Sequence, residues 1–279
     1  MNTMTIEPRT VRPIYHANPV LRRLSRVADR VDTDAATYSG IASKTAFLLL
    51  MTLAGIVMQL FVKGIFSSAP VWQSFTIYDQ FAITLTQGEA AIIGAVLTVG
   101  FGAELLGIFF RRTIPVTGSL YAASQGYLIS FLVFDVLSGY EYLGLEALLI
   151  TVAVVAVMSR LYTSGRIRSG KKYHFILLSF FLGSVAVSVF SVLGFLFPLT
   201  RPVVEAMAQN YAVVIVLDVI GILIAALFLI SDFSMIQDCV EQGYPKGYEW
   251  SAAFGLVFTV LWIYLKVLDL LMRAASKNR

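Results

Sequence analysis

Long apolar runs separated by short polar connections are the dominant pattern along the chain. A hydrocarbon core about 30 Å thick requires roughly 20 apolar residues in a helix that crosses it. Runs of that length recur along most of the sequence, and each predicts a membrane-spanning helix. The seven predicted spans are 44–63, 89–110, 117–137, 142–163, 174–198, 211–231 and 250–272.

The composition agrees with this pattern. Apolar residues make up 58% of the chain and charged residues 14%, and the mean hydropathy is +0.78. Soluble domains have roughly 45–50% apolar and about 25% charged residues, so a soluble fold is excluded. The net charge of +4 arises from basic residues between apolar runs, and the sequence has no nucleic-acid-binding motif. We therefore expect the lipid bilayer as a partner and no nucleic acid.

The chain divides into three regions around the predicted spans. Residues 1–43 form a basic cytosolic tail without the apolar core of a signal peptide. Within the tail, aliphatic residues at helical spacing between arginines favour a short amphipathic helix on the membrane surface, and a solvated tail is equally compatible. Residues 44–273 form the transmembrane domain, and residues 274–279 form a C-terminal tail.

The distribution of basic residues predicts the orientation, because short basic loops are retained in the cytosol. The N-terminal tail, the 111–116 turn and the 164–173 loop are basic, and the connections between them are poor in basic residues. The N-terminus and the loop around Lys246 are therefore predicted to be cytosolic. Seven crossings place the basic C-terminus outside, against this rule, so six crossings with a re-entrant last segment stay open as an alternative.

The predicted outer connection, 64–88, is rich in aromatic residues. Trp72, Phe75, Tyr78 and Phe81 are three residues apart and would share one side of a helix. Aromatic side chains are enriched where membrane meets water. We interpret this connection as an interfacial aromatic belt.

Ionisable residues at membrane depth are the strongest candidates for function, because each costs about 2.5–3.5 kcal/mol at a helix centre on insertion scales. Asp232 is predicted at the cytosolic edge of the sixth span, and Glu104 about two turns inside the cytosolic end of the second. The following loop adds Asp238, Glu241 and Glu249. The sequence therefore predicts a cluster of carboxylates at the inner mouth.

A second charged group is predicted nearer the outer face. From the rise of about 1.5 Å per residue in a helix, Asp218 and Lys266 lie at the same depth on antiparallel helices. Asp269 is one turn from Lys266 and is a second partner for it. The three residues are predicted to form a buried ion pair, and a gating role remains an alternative.

The C-terminal third of the chain carries motifs that resemble a known family. They are DFSMI at 232–236, GYPKGYEW at 243–250, AAFGL at 252–256 and WIYL at 262–265. Together they closely resemble the C-terminal signature of bacterial Bax inhibitor/YccA-like proteins, of the transmembrane BAX-inhibitor-motif superfamily. The likeness covers most of the chain, and the stretch from 232 to 250 is its most specific part.

The resemblance implies an all-α membrane fold, a seven-helix bundle in which the last helix is surrounded by the other six. It also implies a pH-sensitive calcium leak channel of the bacterial inner membrane, gated by two carboxylates on the sixth and seventh helices. Asp232 matches the first carboxylate. The second position is occupied by Lys266 or by Thr259, depending on which motif is aligned, and neither is an acid.

Other acids are therefore needed as partners for Asp232, and the candidates are Asp238, Glu249 and Glu104. Carboxylates that lie close together share protons and attract hard cations, so protonation near neutral pH can switch their contacts. Calcium is expected as permeant ion or as a ligand of Asp232 and Asp238, and no other cofactor is expected. The alternative is that these acids cap a helix end or face the cytosol.

The sequence allows other functional classes besides a channel. A non-conducting regulator of a membrane protease or stress response is the main alternative. A retinal protein, with Lys266 as the Schiff base and Asp218 or Asp269 as counter-ion, is a remote one. With two histidines, His16 and His174, and one cysteine, the chain is not expected to be a metal hydrolase or another enzyme.

Overall fold

A computed structural model describes residues 35–77, 81–165, 173, 175, 177, 179–180, 182–183 and 211–277. Six long helices and one antiparallel strand pair make up this part of the chain. In chain order they are α1 (Tyr38–Phe66), β1 (Val71–Ile77), β2 (Phe81–Thr86), α2 (Gln87–Phe109), α3 (Ile114–Phe131), α4 (Tyr142–Thr163), α5 (Tyr211–Glu241) and α6 (Tyr248–Lys277).

Five of these helices, α1, α2, α4, α5 and α6, are long and apolar enough to cross a membrane. The prediction of a helical, multi-pass membrane protein is thus confirmed for the described residues. Ten of the 18 residues of α3 are buried, so this helix packs among its neighbours and carries more small and polar residues. The predicted span 174–198 and the tail 1–34 lie largely or wholly outside the described residues.

Local capping explains where the first helices begin. The Thr37 hydroxyl accepts a hydrogen bond from the Gly40 N–H at 3.0 Å and so caps α1. At the start of α2, Thr86 and Glu89 form a capping box, in which each side chain accepts a hydrogen bond from the backbone N–H of the other residue. The helix boundaries are therefore encoded in polar residues that flank the apolar runs.

The bundle has two ends. At one end the start of α1 lies beside the turn between α5 and α6, where the Ala36 N–H donates to the Tyr244 carbonyl at 2.7 Å. Arg111, in the turn between α2 and α3, lies over the Tyr248 ring at 3.9 Å from its centroid. We call this end the N-terminal face. The opposite end carries the strand pair and is called the hairpin face.

Helices α1 and α3 approach each other most closely, at two glycines. A Cβ on Gly55 would lie 2.0 Å from the Ala123 carbonyl oxygen, and a Cβ on Gly126 would lie 1.9 Å from the Thr52 carbonyl oxygen. Only glycine allows the two backbones to pack at this separation. The small residues therefore set the spacing of the α1–α3 pair.

Helix α6 packs against α1, α3, α4 and α5. Its buried residues cover more than half of its circumference, and the side that carries Ser251, Gly255 and Trp262 is partly buried. Phe254 and Phe258 of α6 lie against the Tyr121 ring of α3 with ring centroids 5.5 and 5.6 Å apart. These contacts place α6 within the described helices.

The connection between α1 and α2 differs from the prediction. It is a β-hairpin, so the expectation of a helix that aligns Trp72, Phe75, Tyr78 and Phe81 on one side is wrong. Phe81 is buried and stacks edge-on with Tyr140, whereas Trp72 in the other strand is exposed. A three-residue aromatic spacing does not distinguish one helix face from two strands, and the pairing of β1 with β2 decides the outcome.

Candidate functional site

Asp232 lies inside α5, because this helix continues to Glu241 rather than ending at the predicted boundary of 231. The prediction that Asp232 lies at the end of the sixth span is therefore wrong, and the residue does not cap the helix. Its carboxyl group is buried and faces α6. A Cβ on Gly255 of α6 would lie 3.4 Å from Asp232 Oδ1, so the carboxyl lies directly against this glycine.

The Thr259 hydroxyl of α6 lies close enough to act on the Asp232 carboxyl, and both residues line the same cavity. One oxygen of Asp232, Oδ2, makes no hydrogen bond with any described residue. The cavity that Asp232 lines has a volume of about 170 Å³, enough for several waters at roughly 30 Å³ each. We call this space the Asp232 cavity; its wall comprises Phe228, Asp232, Gly255, Phe258, Thr259 and Trp262.

A second cavity, of about 290 Å³, adjoins the first. The two share Gly255 and Phe258 as lining residues. The second one extends to the exposed Arg111 and includes Ser251, whose buried hydroxyl has no hydrogen-bond partner among the described residues. Two adjoining cavities therefore lead from the N-terminal face along α6 to Asp232.

Ser251, Gly255 and Thr259 form the polar and small stripe of α6 that faces these cavities. They are four residues apart and so share one side of the helix. Of the three, the sequence identified only Thr259 as a candidate site position. The signal that could have found the other two is this four-residue spacing of small and hydroxyl residues in an otherwise apolar helix.

Glu249 does not join Asp232. It is fully buried at the start of α6, where Oε1 accepts hydrogen bonds from the Thr37 N–H at 2.9 Å and the Thr37 hydroxyl at 3.2 Å. Its other oxygen forms an ion pair with Lys44 of α1. This carboxylate therefore connects the starts of two helices and is fully engaged there.

Asp238 and Glu241 lie in the last turns of α5 and are exposed. Asp238 accepts a hydrogen bond from Gln242 at 3.2 Å, and Glu241 accepts one from Gln237 at 2.6 Å. Asp238 is therefore in a different environment from the buried Asp232. Within the described residues, no three of His, Cys, Asp and Glu lie close enough together to hold a metal ion.

Glu104 is half-buried on α2, where its charge acts on the Tyr121 hydroxyl of α3. The Tyr121 ring packs in turn on Phe254 and Phe258 of α6, and Phe258 lines the Asp232 cavity. An aromatic layer therefore separates the Glu104 side of the bundle from Asp232. The five carboxylates predicted at the inner mouth do not lie together, and of them Asp232 lines the cavity beside α6.

The charged group predicted nearer the outer face, Asp218 with Lys266 and Asp269, includes a fourth residue, Arg273. Lys266 Nζ lies 3.9 Å from Asp218 Oδ1, and Arg273 Nε lies 3.1 Å from Asp218 Oδ2. Asp269 pairs with Arg273 at 3.2 Å. Lys266 is therefore directed towards Asp218. Alignment offered Lys266 or Thr259 as the residue facing Asp232, and the structure places Thr259 beside Asp232.

Comparison with known families gives one match. The family model described as Bax inhibitor 1 like matches residues 18–276. No curated protein and no solved structure matches the chain. The match covers α1 to α5, all but the last residue of α6, and most of the predicted N-terminal tail.

Proposed function

Because this chain belongs to the Bax inhibitor 1 like family, we propose that it is a pH-sensitive passive leak channel for calcium and related cations. Protonation of a single carboxyl group, that of Asp232, would control the flux. The observation that carries this proposal is the buried Asp232 oxygen without a partner among the described residues, at a residue that lines a cavity between two membrane-spanning helices.

The pairing of Asp232 with Thr259 suits a group that changes its charge. A hydroxyl can donate a hydrogen bond to a carboxylate and accept one from a carboxylic acid. The contact thus persists in both protonation states, while the charge facing the cavity changes. An ionised carboxylate at this depth requires water or a cation beside it, because an unpaired buried charge is strongly unfavourable.

The cavities offer the ligands that a hard cation prefers. Calcium binds oxygen atoms, and the carboxylate of Asp232 and the hydroxyls of Thr259 and Ser251 are oxygen donors along one route. Three such groups are few for a tight calcium site, which requires six to eight ligands. Weak, transient binding is what conduction needs, since an ion must also leave.

We further propose that the N-terminal face is cytosolic and that the membrane is the bacterial inner membrane. Arg111, Lys246 and Lys44 lie at this face of the bundle, which supports the orientation by the preference of basic residues for the cytosol. In this orientation the cavities open towards the cell interior. The proposed role is transport, without a catalytic step.

A non-conducting regulatory role is the second candidate. The packing of Tyr121, Phe254 and Phe258 favours it, because these rings fill the space between α3 and α6 beside the Asp232 cavity. In a regulator this arrangement is permanently closed. In a channel it is a closed state that opens.

Flux into liposomes distinguishes the two roles. The full-length protein is reconstituted into vesicles loaded with a calcium-sensitive dye, and calcium entry is compared with that of empty vesicles at pH values from about 5 to 8. We expect entry above the empty-vesicle rate in at least part of this range. Entry equal to that of empty vesicles throughout would reject the channel and favour the regulator, for which co-purification with a membrane protease in mild detergent is the next test.

A further inference from the structure

The largest apolar cavity among the described residues lies on the other side of α6 from Asp232. It has a volume of about 500 Å³, within the range of about 300–1,000 Å³ that is usual for small-molecule sites. We call it the lateral groove. It lies between α1 and α4 and reaches α6; its wall includes Leu49, Leu53, Leu145, Leu148, Leu261 and Tyr264.

The wall of the groove presents almost no free polar group. The hydroxyls of Thr52 and Thr151 donate to backbone carbonyls of their own helices, at 3.2 and 2.7 Å. Ser130 donates to Gln59 at 2.8 Å, and Tyr264 donates to the Gly144 carbonyl at 3.3 Å. A polar occupant of this groove would therefore find almost no free hydrogen-bonding group in its wall, unlike one in the Asp232 cavity.

The groove opens sideways, towards the hydrocarbon of the bilayer. Leu49 and Leu53 of α1 and Leu145 and Leu148 of α4 line it and are all exposed, and both helices are membrane-spanning. The solvent at this opening is lipid. A groove of this shape, open to hydrocarbon along two spans, fits an acyl chain.

Opposite charges stand at the hairpin-face end of the groove. Glu141 lines the groove just before α4, and its carboxylate accepts a hydrogen bond from the Gly139 N–H at 2.9 Å. This hydrogen bond lowers the pKa of Glu141, so the residue is ionised at neutral pH. Lys63 is close enough to act electrostatically on Glu141 and forms an ion pair with Asp135 at 2.7 Å.

The Lys63 ammonium retains the capacity for a further ligand. It donates to the Phe134 carbonyl at 2.9 Å and contacts Asp135, which uses two of its three N–H groups, and 43% of its side chain is exposed. A phosphate is a strong acceptor for such a group, and a carboxylate such as Glu141 is a strong acceptor for a primary ammonium. The two residues thus match the two charges of a zwitterionic headgroup.

We propose that the lateral groove binds one aminophospholipid of the surrounding bilayer. One acyl chain would lie between α1 and α4, the headgroup ammonium would bind Glu141, and the headgroup phosphate would bind Lys63. This inference does not depend on the proposed ion flux. It assigns the groove to a bilayer lipid and the headgroup selectivity to two charged residues.

The test is native mass spectrometry of the full-length protein released from bilayers of equal parts phosphatidylethanolamine and phosphatidylglycerol. We expect one tightly retained phosphatidylethanolamine per chain. Leu148→Trp places a large side chain in the groove and should reduce the retained fraction about tenfold or more. Its control is Leu149→Trp, since Leu149 is exposed at 61%, compared with 49% for Leu148, but does not line the groove.

Two further variants separate the parts of the proposal. Leu53→Trp fills the groove from the α1 wall and replaces Leu148→Trp if that protein does not fold. Glu141→Gln should keep a bound lipid but lose the preference for phosphatidylethanolamine over phosphatidylglycerol. The proposal is overturned if the unmodified protein retains no lipid or prefers phosphatidylglycerol, or if Leu148→Trp and Leu149→Trp retain lipid equally. A groove-dependent dimer would likewise reject it, because a second chain would then be the occupant.

Discussion

The buried carboxyl of Asp232 on α5 lies beside the hydroxyl of Thr259 on α6, and the two residues line one cavity. The family resemblance implies two carboxylates at this point, and this chain has one carboxylate and one hydroxyl. A hydroxyl does not compete for the proton that two acids would share. The pH response of this protein is therefore expected to be that of a single group.

Thr259→Asp should restore a pair of acids and move the midpoint of the pH dependence of calcium flux to higher pH. Two carboxyl groups at hydrogen-bonding distance hold one proton between them, because both cannot ionise at low energetic cost. The measurement is dye-reported calcium entry into liposomes across a pH series. Thr259→Ser keeps the hydroxyl and is the control. A Thr259→Asp midpoint equal to that of Thr259→Ser would contradict this account of the pair.

Gly255→Leu should reduce flux about tenfold or more by filling the junction of the two cavities. A Cβ alone would lie 3.4 Å from Asp232 Oδ1, an ordinary contact, so Gly255→Ala is expected to conduct nearly normally. Gly94→Leu on α2 is the control, because a Cβ there meets no atom within 4 Å. The three rates are compared at equal amounts of reconstituted protein. Equal calcium-entry rates for Gly255→Leu and Gly94→Leu would show that the ion does not pass through the junction of the two cavities.

Lys44→Met should destabilise the protein by about 3–5 kcal/mol, because it leaves the buried carboxylate of Glu249 without its cation. The pair of Lys63 with Asp135, in which the lysine side chain is 43% exposed, offers a comparison, and Lys63→Met is expected to lose no more than about 1 kcal/mol. Denaturant titration in detergent, followed by circular dichroism, measures both. Similar losses for the two variants would show that Glu249 is not held as the contacts indicate.

Gly126→Ala should destabilise the protein by about 1–3 kcal/mol or more, because its Cβ would overlap the Thr52 carbonyl oxygen of α1. Gly64→Ala, also in a helix but in open space, should instead be neutral or stabilising by up to about 1 kcal/mol. The same titration applies. A neutral Gly126→Ala would mean that α1 and α3 can separate without loss.

Much of the fold was predictable because membrane spans are set by length and apolarity, which a sequence displays directly. The depth of single residues was predictable for the same reason. Asp218 and Lys266 were placed together by counting the rise along two helices, and they lie 3.9 Å apart. Arg273 was missed as a partner of Asp218, because it lies just beyond the predicted span 250–272, and α6 continues through it.

The site was less predictable because depth does not give direction around a helix. Counting could not decide whether Thr259 or Lys266 faces Asp232, and only the packing of α6 on α5 does so. Glu249 was expected at the inner mouth with the other acids, but Lys44, 205 positions earlier, binds it. Pairings between distant positions leave no local pattern in one sequence.

The most direct test of the central claim is the pH profile of calcium entry for Asp232→Asn beside Asp238→Asn, an exposed aspartate on the same helix. Both variants are reconstituted into dye-loaded liposomes and measured from about pH 5 to 8. We predict a profile without pH dependence for Asp232→Asn and an unchanged profile for Asp238→Asn. An Asp232→Asn profile that follows the unmodified protein would contradict the claim that this carboxyl controls the flux.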